Sequence, residues 1–577
     1  MSMIQCEIIH TSLEAPPPYT AISYTWGDPD DTIDIRVNGS WMKVTASLHG
    51  ALEALRKPDD PLLVWADAIC INQSDKAEQS SQVQLMRQIC SQAETVMAWL
   101  GPESHGSNEA VDAIHALSQV PEEEVDAWIQ LESHESDFDA LVHLFERDYW
   151  SRVWVVQEIL NAKDVTVRCG AKSVRWPLLL ESVALLDRHE PQLRACFPSN
   201  KKTSRARQSY PHILISGGPA SIDIMDMLAG KGAELFLDVL RICRTKHTSQ
   251  PRDKVFGVMG ILPDVRSHLF PDYNVSLRQV YTDVVDFLLH RTKRLDIICE
   301  SIHFPLNASS TVLPTWVPDW SYVQHMAGLG RSYQFLASGE TDAIFSFVDA
   351  RQRTKLRIEA IHLGTVSVRG IAVGTYCGLD DSLMAFLHWR SKMLTWFSES
   401  ATKDEGGLTK EDDAFCRTIS LGQRAAVWED SKNHYRIEHW TEVCYHAFAT
   451  LIAERLPSIR VDDKLQSCMT NTSIQAREVL ENSARTILQE RCESRMMGRC
   501  FFITDDGKMG MGTGFLEARD IICVPLGCCT PVILRPEGED NEYRFVGDCY
   551  VDGYMNGEAI EAWKKDQGRK PEPFVLR

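Results

Sequence analysis

The sequence predicts an α/β protein in three parts: a parallel-sheet domain over residues 1–170, a mostly helical region over 171–342, and a small C-terminal β-barrel over 343–577 with helices inserted at 380–490. Three observations predict it. Apolar runs of strand length, Tyr19–Tyr24, Leu62–Ala66 and Thr95–Leu100, are separated by stretches of helical periodicity, the order that builds a right-handed parallel sheet. Long stretches of 3.6-residue periodicity fill 171–335 and 380–490. From Arg499 onward the chain turns to short strands punctuated by Gly and Pro (FFIT, IICVPL, PVILR, YRFVGDCYV), the pattern of a small barrel. The alternating segment Leu356–Ala360, within 343–375, can supply it with a further strand.

Each element has a local reason. Ile4–His10 reads as a short strand, followed by the stiff Pro16-Pro17-Pro18 connector. Tyr19–Tyr24 ends in the turn-rich Thr25–Asp31, and Asn38-Gly39 between two alternating runs is a hairpin signal. Ser47 opens a helix with Leu48, Ala51, Leu52 and Leu55 on one face. Leu62–Ala66 is near-continuously apolar, as expected of a strand buried on both faces. It ends at Asp67, and Asp75 with Glu78 marks the next helix start. Residues 103–148 form an acidic helical insertion. Ser151 caps a helix over SRVWVVQEIL whose buried stripe is Val153, Val156 and Leu160, so Glu158 lies off that stripe and need not be buried. Asp164–Cys169 is one more strand, and the basic Lys201–Arg207 an exposed loop. Two blocks stand out farther on: Pro251–Gly257 (PRDKVFG) and Leu313–Trp320 (LPTWVPDW).

Composition narrows the function classes. Of 577 residues, 44% are hydrophobic and 24% charged, an ordinary globular balance. With 60 Lys and Arg against 80 Asp and Glu, the net charge is −20, which disfavours nucleic acid as a partner. The 17 Cys include no CxxC and no zinc spacing, so no metal is expected; Cys70, Cys90 and Cys169 in apolar segments suit reduced thiols and a cytoplasmic location. The N-terminus lacks the pattern of a signal peptide and no run is long enough for a membrane span. Walker A, GxGxxG and GxSxG motifs are missing, so ATPase, Rossmann dehydrogenase and α/β-hydrolase readings lack support.

Three blocks resemble the fungal heterokaryon-incompatibility (HET) domain: Tyr19–Asp28 (YTAISYTWGD), Trp65–Gln73 (WADAICINQ) with the Glu78–Ala93 helix after it, and Tyr149–Glu158 (YWSRVWVVQE). PRDKVFGVMGI, LPTWVPDWS and the tail from GRCFFIT to GDCYVDGYMNGEA resemble the regions C-terminal to HET domains in large fungal proteins, the tail being similar to their associated barrel. HET domains in turn resemble TIR domains remotely, which implies a TIR-like, flavodoxin-like parallel sheet. SRVWVVQE resembles the TIR helix that carries Trp and Glu four apart, although Val155 stands where TIR domains have Cys and about fifty residues intervene before it.

The resemblance implies a programmed cell-death effector of fungal innate immunity, possessing either NAD hydrolase activity or only self-association. In the first case NAD is the substrate and no further cofactor is required; Glu158 and Asp67 are the catalytic pair. Ser23, Tyr24, Trp26, Gly27, Asp28, Asn72, Gln73 and Trp154 are then the binding residues, with Trp26 or Trp154 stacked on a ring. Open parallel sheets bind ligands beyond the carboxyl ends of their strands, where Asp67 and the Ser23–Asp28 loop fall. The residues also admit plainer roles. Glu158 can pair with Arg152, Asp67 can cap the Ile71–Gln73 loop, Asn72 and Gln73 can be loop hydrogen-bonders, and Gly27 can serve a special backbone conformation. In the non-enzymatic case the partner is a protein, through recruitment or self-association.

Overall fold

The computed structural model describes residues 3–57, 60–197, 209–223, 234–302, 313–323, 326, 328–332, 335–374, 378–398, 408–422, 440–470, 496–538 and 541–577. The expected Lys201–Arg207 loop lies outside them, as do parts of the 380–490 helical insertion. The chain packs as two compact units, Met1–Asp283 and Val284–Arg577, so residues 171–283 of the expected helical region belong to the first and 284–342 to the second. Among the described residues no helix is long and apolar enough to cross a membrane.

The first unit opens with β1 (Gln5–Cys6), β2 (Thr20–Tyr24), β3 (Thr32–Val37) and β4 (Ser40–Thr45). β3 and β4 form the expected hairpin, its Asn38-Gly39 turn having φ of 49° and 77°. β5 (Val64–Trp65), β6 (Thr95–Trp99), β7 (Val165–Cys169) and β8 (Lys172–Arg175) join β2 in a sheet ordered β5-β2-β6-β7-β8. All its pairings are parallel except β7–β8. The parallel sheet is as the apolar runs predict, but the Leu62–Ala66 strand shrinks to two residues. β5 pairs only with β2, through Thr20↔Val64 and Ala21↔Trp65, and as an edge strand it leaves Leu62 41% exposed instead of covered on both faces.

Side chains alternate across this sheet. Tyr19, Ala21, Val96, Ala98 and Leu100 face a core shared with Ile89 and Cys90 and with the insertion helices Ser107–Leu117 and Glu135–Phe145. Ile22, Tyr24, Met97 and Trp99 face the opposite layer, built from Ile35, Val44, Leu48 and Leu52. The helix carrying Leu48 runs Ala46–Leu55 with Thr45, not Ser47, as its cap. The 103–148 insertion is therefore part of the main core.

The second unit holds β9 (Phe345–Phe347), β10 (Leu356–Ala372), β11 (Arg499–Thr504), β12 (Met509–Thr513), β13 (Ile521–Pro525), β14 (Val532–Pro536), β15 (Glu542–Asp548), β16 (Tyr550–Val551) and β17 (Glu572–Leu576). β10, β13, β14, β15 and β17 close into a five-stranded ring. The 343–375 segment thus joins the barrel as expected, while β17 carried no strand signal strong enough to be read. Bulges along β10 bend it out of the ring, so that Val366–Ala372 pairs with β11. On β11, Phe502 points into the barrel core and Phe501 and Ile503 point to the helices Leu379–Phe397, Lys410–Ile419 and Trp440–Arg455. The LPTWVPDW block buries Trp316 and Trp320 and braces the barrel through Phe545 N, which donates to Thr315 Oγ1 at 3.0 Å.

Candidate functional site

The site forms where β2, the turn after β5 and the helix Val153–Leu160 meet. That helix begins at Val153, after a 3-10 turn over Asp148–Ser151, and Ser151 Oγ donates back to Asp148 O at 2.6 Å, so it is not the expected cap. The expected stripe is too narrow as well. Val153, Val155, Val156, Gln157, Glu158 and Ile159 are all buried, because the helix packs between the sheet and the helices Lys76–Gln92 and Asp253–Met259. Glu158 is 8% exposed, so its polar stripe is covered rather than open.

Ser23 leaves β2 on the face that carries Ala21. Its Oγ donates to Glu158 Oε2 at 2.5 Å and lies 2.7 Å from the Tyr149 hydroxyl. A hydroxyl has one proton to give, so the chain runs Tyr149 to Ser23 to Glu158. Burial raises the Glu158 carboxyl above its ordinary range; the Arg152 charge and the Ser23 hydrogen bond pull it back, and the Asp67 charge pushes it up again. Among the described residues no ion pair reaches Glu158. Arg152, the partner one reading gave it, instead donates from NH1 to the Tyr24 carbonyl. Burial also pushes the Tyr149 hydroxyl upward, with the Glu158 charge adding to it.

Asp67 sits half-buried at the start of the turn Asp67–Cys70. Its Oδ2 accepts the Trp26 indole N–H at 2.8 Å and its Oδ1 the Ala68 N–H at 2.8 Å. The Tyr24 hydroxyl is held above its ordinary pKa by burial, then by the Asp67 charge and a hydrogen bond to it. Trp26 remains 39% exposed, and Gly27 has φ of 76°, the special backbone its position in the turn requires. Gln73 Nε2 donates to Asp67 O at 3.1 Å and so braces the Asp67 turn.

The other expected residues do local work. Asn72 accepts from Ser74 N at 3.2 Å, and its own N–H donates to Glu78 at 2.9 Å, while Asp75 alone caps the Lys76–Gln92 helix. Asp28 accepts from Asp30 N at 2.9 Å. Trp154 turns away from Ser23 and Asp67: its indole N–H donates to Asp253 Oδ2 at 3.2 Å. Tyr149 joins the site without having been expected there, and Arg152, expected only as an ion-pair partner of Glu158, joins it through the Tyr24 carbonyl. Both stand inside a block with HET resemblance, but only contacts across more than a hundred residues of chain separate them from its other members. Among the described residues no group of three His, Cys, Asp or Glu side chains could hold a metal ion.

Residues 19–158, which span every member of this cluster, match the family described as heterokaryon incompatibility protein (HET), and residues 406–568 match the Het-6 β-barrel domain. The two matched segments are thus similar to a HET domain and to a Het-6 barrel. It is 26% identical to heterokaryon incompatibility protein 6, OR allele, of Neurospora crassa over 663 aligned positions, covering 98% of this chain and 93% of that relative. No solved structure matches the chain. The HET match ends at Glu158, so β7 and β8 extend the sheet beyond it, and the barrel match excludes β10 and β17, which close the ring.

Proposed function

We propose that the protein is a heterokaryon-incompatibility effector that triggers cell death in non-self recognition, and that it acts by hydrolysing NAD at the Glu158 site. The observation that carries the reading is a buried carboxylate held by Ser23 within the field of Asp67, at the carboxyl ends of β2 and β5. The sheet order supports the TIR-like part of it. Counted along the chain, its strands lie second, first, third, fourth and fifth, the flavodoxin-like order, with an antiparallel last strand.

The chemistry suits such a site. Hydrolysis of NAD breaks the bond between the ribose C1′ and the nicotinamide nitrogen; the electron pair leaves with neutral nicotinamide, and water supplies the hydroxyl of ADP-ribose while releasing a proton. Little acid assistance is needed. The carboxylate of Glu158 stabilises the oxocarbenium-like charge on the ribose, and Asp67 orients the water. The half-exposed Trp26 ring is the stacking surface. The covered state of Glu158 favours one other reading, in which Ser23, Tyr149 and Glu158 only pin the helix to the sheet and the HET domain works by self-association.

Incubating the full chain with NAD and following nicotinamide and ADP-ribose by chromatography tests the proposal. We expect turnover by the wild type and a loss of at least about 100-fold in Glu158→Gln. Induced expression should kill the host with the wild type and spare it with the variant. Killing undiminished by Glu158→Gln hands the function to the self-association reading.

A further inference from the structure

The block Pro251–Gly257 lies outside the HET match, yet its residues are spent on the helix that carries Glu158. Lys254 Nζ donates to Arg244 O at 2.7 Å and to Lys246 O, which shapes the 244–248 turn. That turn grips the entry of the Glu158 helix. Lys246 Nζ donates to Trp150 O at 2.6 Å, His247 N to Ser151 O at 2.5 Å, and Val153 N, an orphan donor of the helix start, to His247 O at 3.0 Å. Asp253 closes a second grip one residue on, accepting from the Trp154 indole at 3.2 Å, Thr248 Oγ1 at 3.3 Å and Tyr273 OH at 2.7 Å. Gly257 lies so close that a Cβ there would sit 3.0 Å from Val153 Cγ1. Asp253, Lys254 and Lys246 are each no more than 6% exposed. Pro251 is itself anchored, its carbonyl accepting from Tyr281 OH at 2.7 Å.

We propose that this block is the positioning element of the Glu158 site, with Asp253 and Lys254 as positioning residues that fix where the helix, and hence the carboxylate, meets Ser23. The proposal rests on the functional reading for its catalytic consequence but not for its geometry. Glu158 is five residues beyond Val153 on a helix of eight, so a slip at the gripped end reaches the carboxylate undamped. A displacement of about 1 Å is enough to cost a reaction roughly 100-fold.

The test is carbodiimide coupling of carboxyl groups to glycine ethyl ester on the full chain, read residue by residue by mass spectrometry. In the wild type Glu158 should couple slowly. In Asp253→Asn it should couple at least about five-fold faster while buried Asp412 of the second unit stays protected, because only the local structure opens. In NAD hydrolysis the same variant should lower kcat at unchanged KM. The acid limb of its pH profile should move to lower pH as water relieves the burial of Glu158, a shift that mere loss of folded protein would not produce. Unchanged coupling at Glu158 overturns the proposal. If the wild type releases no nicotinamide but the coupling rises, the NAD reading falls and the positioning role stands. Should Asp253→Asn expose Asp412 too, Trp154→Phe, which removes a single hydrogen bond, decides by the same coupling.

Discussion

Asp412 in the second unit accepts from Lys464 Nζ at 2.6 Å, from Arg390 NH1 at 3.1 Å and from the Tyr445 hydroxyl at 2.7 Å. Arg390 in turn holds Asp462 through two bonds of 3.0 Å and lies over the Tyr445 ring. Glu158 in the first unit is also buried but is bonded to a hydroxyl. Burial pushes both carboxyls up. At Asp412 the bonds and charge of Lys464, with Thr409 and Tyr445, win and hold it down at about 2; at Glu158 Arg152 and Ser23 do not, and it stays high. The contrast sorts buried acids by their partners. One satisfied by cations staples helices together. One left with hydroxyls keeps its carboxyl high, which is the feature the proposed reaction would use.

The largest effect should come from breaking the staple. Arg390→Met takes one of two cations from Asp412, which keeps Lys464 and Tyr445, and the guanidinium from the partly exposed Asp462, and should destabilise the second unit by about 2–3 kcal/mol, the cost of losing hydrogen bonds to charged groups. Hydrogen exchange of Leu379–Phe397, Lys410–Ile419 and Trp440–Arg455 reads it. A change within about 1 kcal/mol would mean that Asp412 is not the structural member of the comparison.

Acid should act on the same network. The folded pKa of Asp412 lies below its unfolded value, so its contribution is complete above the unfolded pKa of about 4 and is lost as pH falls through about 2. An acid titration of exchange protection in those helices should show this loss, and Asp412→Asn should abolish that part of the pH dependence.

The legibility of the two units differs for the same physical reasons. Strand runs, the Asn38-Gly39 turn and the barrel's Gly/Pro punctuation are local, so sheet and barrel can be read from sequence. The β5 edge cannot, because whether a short apolar run is covered on both sides depends on which strand pairs with it. At the site, strand ends and resemblance place Ser23, Asp67 and Glu158 together. The burial of Glu158 escapes the sequence because nothing on its own helix shows that it meets Ser23, 135 residues away, beside the Tyr149 hydroxyl. Trp154 is misplaced for the same cause: its partner is Asp253. The staple on Asp412 leaves no sequence signal, since its members are scattered from 390 to 464.

A smaller and sharper effect concerns Ser23. Its hydrogen bond is one of the influences that lower the Glu158 pKa. Ser23→Ala removes it without changing the burial, so the acid limb of NAD hydrolysis should move to higher pH while the limiting rate changes less. An unmoved limb would mean that Ser23 does not tune the carboxylate.

The smallest effect is also the one whose sign separates the two acids. The Glu158 pKa is raised in the folded state, so the folded chain binds that proton more tightly than the unfolded chain does. Its contribution to stability is therefore complete below the unfolded value of about 4.3 and is lost as pH rises through the folded one. Glu158→Gln keeps the shape and a hydrogen-bonding oxygen for Ser23 but cannot ionise. Its stability relative to the wild type should improve steadily with rising pH, by no more than about 1 kcal/mol, ending level with the wild type or above it. Asp412→Asn should show the opposite slope, losing ground to the wild type as pH rises from 2 to 4, because there the ionised form is the stabilised one. Urea denaturation of both variants from pH 2 to about 7 measures the two slopes on the same chain, that of Asp412 below about 4 and that of Glu158 above it. If Glu158→Gln instead loses ground with rising pH, Glu158 is wired like Asp412. The helix would then be held by an ionised carboxylate paired for stability, and the NAD reading would lose the feature that carries it.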